Sequence, residues 1–277
     1  MTDRERTELS EIARRMRIHI IRMISRAASG HPGGSLSAVE ILATLYFREM
    51  HIDPKRPDLP DRDRFVLSKG HAAPVLYAAL AERGFIAPAL LDGLRQSGCS
   101  LQGHPHRLDT PGVDASTGSL GQGLSMASGM AMGLRLRPAG SAARVFALIG
   151  DGESQEGQIW EAAMTAGFRR LSNLCVFLDY NDLQIDGRVS VIKDIAPLRD
   201  KWQAFRWRVE EIDGHDFDQI AGALAAFAGE REKPTLVIAR TVKGKGVSFM
   251  EDNVNFHGQA PSAQETATAL AELGYGH

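Results

Sequence analysis

Cysteine is scarce: the chain of 277 residues holds 2, Cys99 and Cys175, too few for a disulfide framework. Cys175 lies in the apolar run Leu174-Cys175-Val176-Phe177-Leu178, where a buried thiol is the ordinary reading, and a reducing cytoplasm is the compartment that fits. Net charge is nearly absent as well. With 32 basic and 34 acidic residues there is no broad cationic field of the kind that nonspecific nucleic-acid or anionic-membrane binding relies on, so neither is expected as a partner. No stretch reaches the roughly 18 uncharged apolar residues of a membrane span. The opening Met1-Thr2-Asp3-Arg4-Glu5-Arg6 mixes acids and bases with no apolar core behind it, unlike a secretory leader or an acid-poor transit peptide. Repeats, low-complexity tracts and a convincing linker are missing too.

What is there reads as a soluble globular chain. Hydrophobic residues make up 43%, enough at this length to bury roughly three quarters of the unfolded surface. We read residues 1–277 as a single domain, with N-terminal helices and a loop over 1–60, an α/β core over 61–241 and a C-terminal loop and helix over 242–277. From Leu9 the apolar residues Leu9, Ile12, Met16, Ile20, Met23, Ile24 and Ala27 recur at three- and four-residue steps, which predicts an amphipathic helix stopped by Gly30. Its arginines are interleaved with acids, so its polar face reads as solvated rather than as a binding surface. Ser37-Ala38-Val39-Glu40 has capping-box spacing and predicts a second helix through Phe47. The Pro- and Asp-rich run from Asp53 to Asp63 reads as a loop.

Short apolar strands are then expected at Arg64-Leu67, Arg144-Ile149, Leu174-Asp179, Trp207-Ile212 and Thr235-Thr241, separated by helix-length segments instead of tight hairpins. That alternation predicts an α/β fold, a mainly parallel sheet with helices on both faces. Ligands collect outside the carboxyl ends of such strands, where Gly150-Asp151-Gly152 and Tyr180-Asn181-Asp182 should lie. A last helix is expected from Ser262 to Leu273, after a loop packed over the ligand edge.

Gly150-Asp151-Gly152 follows a strand and precedes a helical segment carrying Trp160, Met164 and Phe168 at four-residue spacing. Two glycines permit close backbone approach, and a helix start offers free N–H groups and partial positive charge to an anion. Asp151 between them would repel a phosphate unless a cation intervened, so the aspartate implies a metal. Asn181, one strand–helix–strand unit later, would stand beside Asp151 if the two strands are neighbours. A carboxylate and an amide oxygen, completed by phosphate oxygens and water, is the set that Mg²⁺ prefers. Gly-Asp-Gly is also a common turn, and that reading stays open. No G-x-x-x-x-G-K-[ST] is present, and Gly118-Ser119-Leu120-Gly121-Gln122-Gly123 follows no predicted strand, so neither the P-loop nor the dinucleotide fingerprint applies. Zinc spacings are absent.

Histidine is the notable presence, 9 in all. Five of them adjoin a glycine inside the chain: His31, His71, His104, His215 and His257. A loop histidine beside glycine is often a turn residue with a satisfied ring. His215 is read that way; His19, His51 and His106 carry no motif, and His277 is terminal.

Taken in order, these segments resemble the N-terminal half of transketolase, a thiamine diphosphate enzyme. They are Ser29-Gly30-His31-Pro32-Gly33-Gly34, Leu67-Ser68-Lys69-Gly70-His71-Ala72, Gly103-His104-Pro105, Ser116-Thr117-Gly118-Ser119-Leu120-Gly121-Gln122-Gly123, Gly150-Asp151-Gly152 with Gln155-Glu156-Gly157, Asp179-Tyr180-Asn181 with Ile185-Asp186-Gly187, Asp213-Gly214-His215-Asp216, and His257-Gly258. The resemblance covers nearly the whole chain. It implies the thiamine diphosphate-binding fold, with Mg²⁺ held by Asp151, Asn181 and the main-chain oxygen of Leu183. The diphosphate would meet the N–H of Gly152, His71 and His257. Gly118, Ser119 and Leu120 would wrap the cofactor, with Leu120 and Ile185 against its thiazolium ring. His31 and His257 would face the scissile bond of a sugar, His104 its hydroxymethyl end, and all four histidines, His71 included, are candidate catalytic groups. Histidine suits the work, because cleaving a ketose beside its carbonyl requires moving a hydroxyl proton near neutral pH. Glu156 would lie at a subunit interface, although an acid in a first helical turn also favours the dipole; for Glu153 the dipole alone is the reading.

In the family, the glutamate that activates the aminopyrimidine and the residues that grip the sugar phosphate lie in a further part that this chain does not contain. The resemblance therefore implies one subunit of a split transketolase, moving a two-carbon ketol unit from a ketose phosphate to an aldose and active only with a C-terminal partner subunit, expected as a heterotetramer of two chains of each type. Two alternatives stand beside it: a split ketol-transferase for an unusual sugar, branched, sulfonated or from secondary metabolism, and a catalytically silent scaffold.

Overall fold

The computed structural model describes residues 1–137 and 141–276; His277 lies outside them. Helix α1 (Asp3–Ala27) opens well ahead of its first core residue because Thr2 caps it. The Thr2 hydroxyl accepts the Glu5 N–H while Glu5 reaches back to the Thr2 N–H at 2.8 Å. Of the stripe that the periodicity predicts, Leu9, Met16, Ile20, Met23 and Ile24 are buried, and Ile12 and Ala27 are partly buried against the same core. Ala28, in the left-handed region at φ 48°, ends it instead of Gly30. Gly30 serves the next bend: a Cβ there would stand 2.9 Å from Ile24 Cγ1.

The predicted capping box at Ser37 is not formed. Residues 32–49 run as α2 (Pro32–Leu36), α3 (Val39–Thr44) and one wider turn, Leu45–Glu49. Ser37 and Glu40 are both buried and find tertiary partners instead, Ser37 donating to Asp179 at 2.7 Å and Glu40 pairing with Arg17 at 2.7 Å. A buried carboxylate takes the cation it can reach before the local N–H.

Five strands form one parallel sheet in the order β1 (Arg64–Leu67), β2 (Val145–Gly150), β3 (Leu174–Tyr180), β7 (Thr235–Arg240) and β6 (Arg208–Asp213). Strands β4 (Leu183–Gln184) and β5 (Gly187–Arg188) make a small antiparallel ribbon beyond β3. Between strands lie α4 (Ala73–Arg83), α5 (Gln122–Arg135), α6 (Gly157–Phe168), α7 (Val189–Ile192), α8 (Leu198–Ala204) and α9 (Phe217–Gly229). Alternate strand residues serve opposite faces. Phe146, Leu148, Cys175 and Phe177 pack with α1, α3, α4 and α9. Val145, Ala147, Val176 and Leu178 pack with α5, α6 and α8. Each fully buried large side chain contributes about 1.5–3 kcal/mol.

One further feature, the buried face of α6, differs from the sequence reading. In α6 the buried face is Ile159, Ala162, Ala163 and Ala166, whereas Met164 and Phe168 are 54% and 67% exposed. The chain after β7 passes as a strap across the carboxyl edge of the sheet before α10 (Ala263–Glu272), capped by Ser262 and Glu265, docks on α1. Thr266 donates to Ser25 at 2.8 Å, and Arg14 donates to the Leu273 carbonyl at 2.9 Å.

Candidate functional site

At the carboxyl ends of β1, β2, β3 and β7 the loops 68–71, 150–156, 179–185 and 241–243 converge, joined by loop 117–121, the start of α2 and the strap. They enclose a cavity of about 300 Å³ lined by His31, His71, Gly118, Leu120, Asp151, Gly152, Glu156, Asn181, Leu183, Ile185 and His257 among others. The geometry thus brings together all but two of the expected residues. Ser119 is exposed and outside the lining. His104 is exposed and faces an adjoining hollow with Arg95 and Gln102. A Cβ on Gly118 would come 3.2 Å from the His104 ring, so a larger residue would push that ring away from the wall between the two spaces.

Register explains the metal corner. Gly150 pairs with Asp179 across β2 and β3, which sets Asp151 beside Asn181. Asp151 is 4% exposed; its Oδ1 accepts the Gly152 N–H at 2.7 Å, and its Oδ2 accepts those of Asn181 and Asp182 at 2.9 and 2.6 Å. Burial, then the charge of Asp179, push its carboxyl up to about 6. Among the described residues no cationic side chain touches it, and no group of three or more His, Cys, Asp or Glu could hold a metal. One carboxylate, the Asn181 amide and the Leu183 carbonyl are hard oxygen donors that leave positions for phosphate and water, which fits Mg²⁺ and not a soft transition metal. The Leu183 oxygen accepts from Lys243 Nζ at 2.6 Å and the Gly152 N–H is engaged by Asp151, so loading the site exchanges these bonds.

The rings of His31, His71 and His257 lie 5.1, 5.4 and 5.7 Å apart pairwise. Burial lowers each of them, helped by Arg95 for His31, Lys69 for His71 and Lys243 for His257, to about 4, 2 and 3 respectively. All three are neutral at pH 7. Arg95 donates to His31 Nδ1 at 3.4 Å and Lys243 to His257 Nδ1 at 2.9 Å. Because a guanidinium and an ammonium only donate, both imidazoles carry their proton on Nε2.

Four residues given no site role from sequence brace this arrangement. Asp179, 1% exposed, collects Lys69, Ser37, Thr241 and the Asn181 amide. Burial opposes its charge, yet Lys69 and these hydrogen bonds hold its carboxyl below the usual range. Lys69 also donates to the Gly34 carbonyl at 2.7 Å. Lys243 has no carboxylate in contact among the described residues, and burial lowers it to about 8. Glu153 is not an exposed helix-start acid, as the dipole reading has it. It is 2% exposed and accepts from Ser68 and the N–H groups of Gly121 and Gly150 at 2.5, 2.9 and 3.0 Å. Position at the carboxyl end of a strand or just beyond it is the signal that finds Lys69, Asp179 and Lys243; nothing local marks Glu153. Glu156 precedes α6, yet its side chain makes no capping bond, so the dipole explanation has no hydrogen bond behind it.

The profile of the family described as transketolase, thiamine diphosphate binding domain, matches residues 9–277. Over 250 residues the chain is 48% identical to the 6-deoxy-6-sulfo-D-fructose transketolase subunit SqwG of Clostridium sp. (strain MSTE9), covering 90% of each. It is 39% identical to an apulose-4-phosphate transketolase subunit of Phocaeicola vulgatus, over 93% of this chain and 90% of that one. The crystal structure of transketolase from Campylobacter jejuni superposes with a TM-score of 0.91 at 33% identity, over 96% of this chain and 43% of that one, so the chain spans less than half the length of that solved relative. With the fold, the cavity and the sequence agreeing, the chain belongs to the transketolase family and comprises its thiamine diphosphate-binding domain.

Proposed function

We propose that this chain is the N-terminal subunit of a two-chain transketolase that moves a two-carbon ketol unit from a ketose phosphate to an aldose. The observation that carries this reading is similarity over nine tenths of their length to chains themselves named as transketolase subunits. When bound, thiamine diphosphate supplies the nucleophilic carbon and the electron sink for breaking the bond beside the ketose carbonyl. This chain's residues do the rest on their side. Asp151, the Asn181 amide and the Leu183 carbonyl would hold Mg²⁺. His71, His257, Lys243 and the Gly152 N–H would face the diphosphate, and Leu120 and Ile185 give the ring an apolar wall. His31 and His257 meet sugar oxygens with Nε2–H, stabilising negative charge as it develops there. His104, across the Gly118 wall, would face the hydroxymethyl end of the donor.

A second subunit is supported by the apolar surface on α5 and α6. Met126, Met164 and Phe168 are 38%, 54% and 67% exposed, with Ile185 at 64% on the cavity lip, apolar side chains that a partner would take out of water. Glu156, exposed at the mouth of the cavity, is placed to meet it. We expect two chains of each type in the assembly and a cytoplasmic location. No described helix is long and apolar enough to cross a membrane, and both cysteines are free.

One observation favours a second reading of the donor: the relative at 48% identity is named for a sulfonated ketose. The silent-scaffold alternative is disfavoured because Asp151, Asn181 and the histidines are all present and assembled. Ketol transfer to an aldose, assayed with Mg²⁺ and thiamine diphosphate on the chain alone and with a C-terminal transketolase subunit, tests these readings. Activity is expected only from the complex. Robust turnover by the chain alone would overturn the two-chain reading. Preference for 6-deoxy-6-sulfo-fructose over a ketose phosphate would replace the donor, and no transfer from either would return the scaffold.

A further inference from the structure

His215 lies outside the cavity lining, in the turn between β6 and α9, and the family chemistry gives it no task. Its two ring nitrogens nevertheless hold opposite roles. Nδ1 stands 2.9 Å from Glu40 Oε2, and Nε2 stands 2.8 Å from the main-chain N of Val242. Glu40 is buried and bonded twice by Arg17; burial opposes its charge, but Arg17 and His215 hold its carboxyl below the usual range. An ionised carboxylate only accepts and a main-chain N–H only donates. The ring is thereby fixed with Nδ1 donating to Glu40 and Nε2 accepting from Val242.

Val242 is the residue before Lys243, and the strap around it is gripped on both sides. Arg17 Nε donates to the Lys245 carbonyl at 2.9 Å, and the Gly244 N–H donates to the Gly33 carbonyl at 3.0 Å. The fit is tight enough to require glycine: at φ +83° and +93°, a Cβ on Gly244 would meet the Met250 carbonyl at 2.2 Å and one on Gly246 would meet Arg17 Nε at 2.7 Å. From this held segment Lys243 reaches both Leu183 and His257. We infer that His215 is a positioning residue: it pins the main chain at Val242 and so aims Lys243, and through it His257, at the diphosphate end of the cavity. This rests on the cofactor reading above.

Thiamine diphosphate is titrated with Mg²⁺ into the complex of this subunit with a C-terminal transketolase subunit, comparing wild type with His215→Ala, His215→Asn and His215→Gln. Asparagine replaces the Nδ1–H donor but stops short of Val242, whereas glutamine presents a donor and an acceptor across one carbon, as imidazole does. We expect the alanine and asparagine variants to bind about tenfold more weakly, the scale of losing a residue that orients a ligand, and glutamine to restore affinity with no matching change in melting temperature between asparagine and glutamine. Should the alanine variant not fold, the asparagine–glutamine pair carries the test. Asparagine binding like wild type, or glutamine as weak as asparagine, overturns the inference. A wild-type complex that binds no cofactor overturns the cofactor reading, and this inference with it.

Discussion

Arg95 is exposed, yet its guanidinium touches both Ser29 at 2.7 Å and His31 Nδ1, and its own backbone sits at φ 60° with its N–H tied to Leu101. If it fixes the His31 tautomer, Arg95→Ala should lower kcat about tenfold, the scale of one hydrogen bond to a charged group. Cofactor affinity should stay unchanged, a split that steady-state kinetics at saturating and limiting cofactor will read. Asp151→Ala has the opposite signature: no measurable heat of thiamine diphosphate binding with Mg²⁺ in calorimetry. Acidity reports the histidines. The unfolded chain takes up protons near pH 6.5 that the folded one refuses until about 4 at His31, 3 at His257 and 2 at His71. Their stabilising contribution is therefore complete above pH 6.5 and is lost as the pH falls through these values. Asp151, raised to about 6, works the other way, its contribution present below its ordinary carboxylate range and lost as the pH rises through 6. Three groups outweigh one, so the cofactor-free chain should show a lower urea midpoint at pH 5 than at pH 7, and His71→Gln should shrink the difference.

Glu153 works between elements, tying the turn after β2 to the loop before α5 and to the residue after β1. Glu153→Ala strands two buried N–H groups and a hydroxyl and should cost on the order of 3 kcal/mol in urea unfolding; Glu153→Gln, which keeps one acceptor oxygen, should cost less. Elements are also where sequence reasoning did best and failed most clearly. All five sheet strands stand where the sequence places them, within a residue or so at each end: β2, β3 and β7 because a strand buried on both faces must be continuously apolar and says so locally, the edge strand β6 by the alternation of Val209 and Ile212 with charged residues. The Ser37–Glu40 box misled because local spacing cannot show that a cation from α1 and a carboxylate from β3 arrive in space to claim those two side chains. The spacing of Trp160, Met164 and Phe168 correctly marks a helix, but of these only Trp160 packs against the core, while Met164 and Phe168 face outward. The small Ala162, Ala163 and Ala166 line its buried face, and alanine gives little contrast in a periodicity. In the cavity, glycine–histidine pairs and Gly150-Asp151-Gly152 were legible as motifs. Lys243 was not, since its role depends on a strap that returns across the sheet edge.

For the molecule as a whole, the outward face of α6 is where assembly can be separated from folding. Met164→Asp and Phe168→Asp change residues already largely in water, so the chain's own melting should move little. Their association with a C-terminal subunit should weaken by at least about tenfold if this face is the contact, as for the few side chains that dominate an interface; dissociation constants from sedimentation or light scattering decide it. The charges inside the cavity have a consequence at the same scale. Asp151 lacks a cation in contact and Lys243 lacks a carboxylate, among the described residues, although the two lie close enough for each to perturb the other. Magnesium arriving by itself would meet the ammonium of Lys243, and a diphosphate arriving by itself would meet the carboxylate of Asp151. Each would neutralise what repels the other, so at this site the two should bind as one heterotropic pair, with a gain that thermodynamic reciprocity makes symmetric. The fraction of this protein that is loaded then follows the product of metal and vitamin supply, and a shortage of either is felt as a shortage of both.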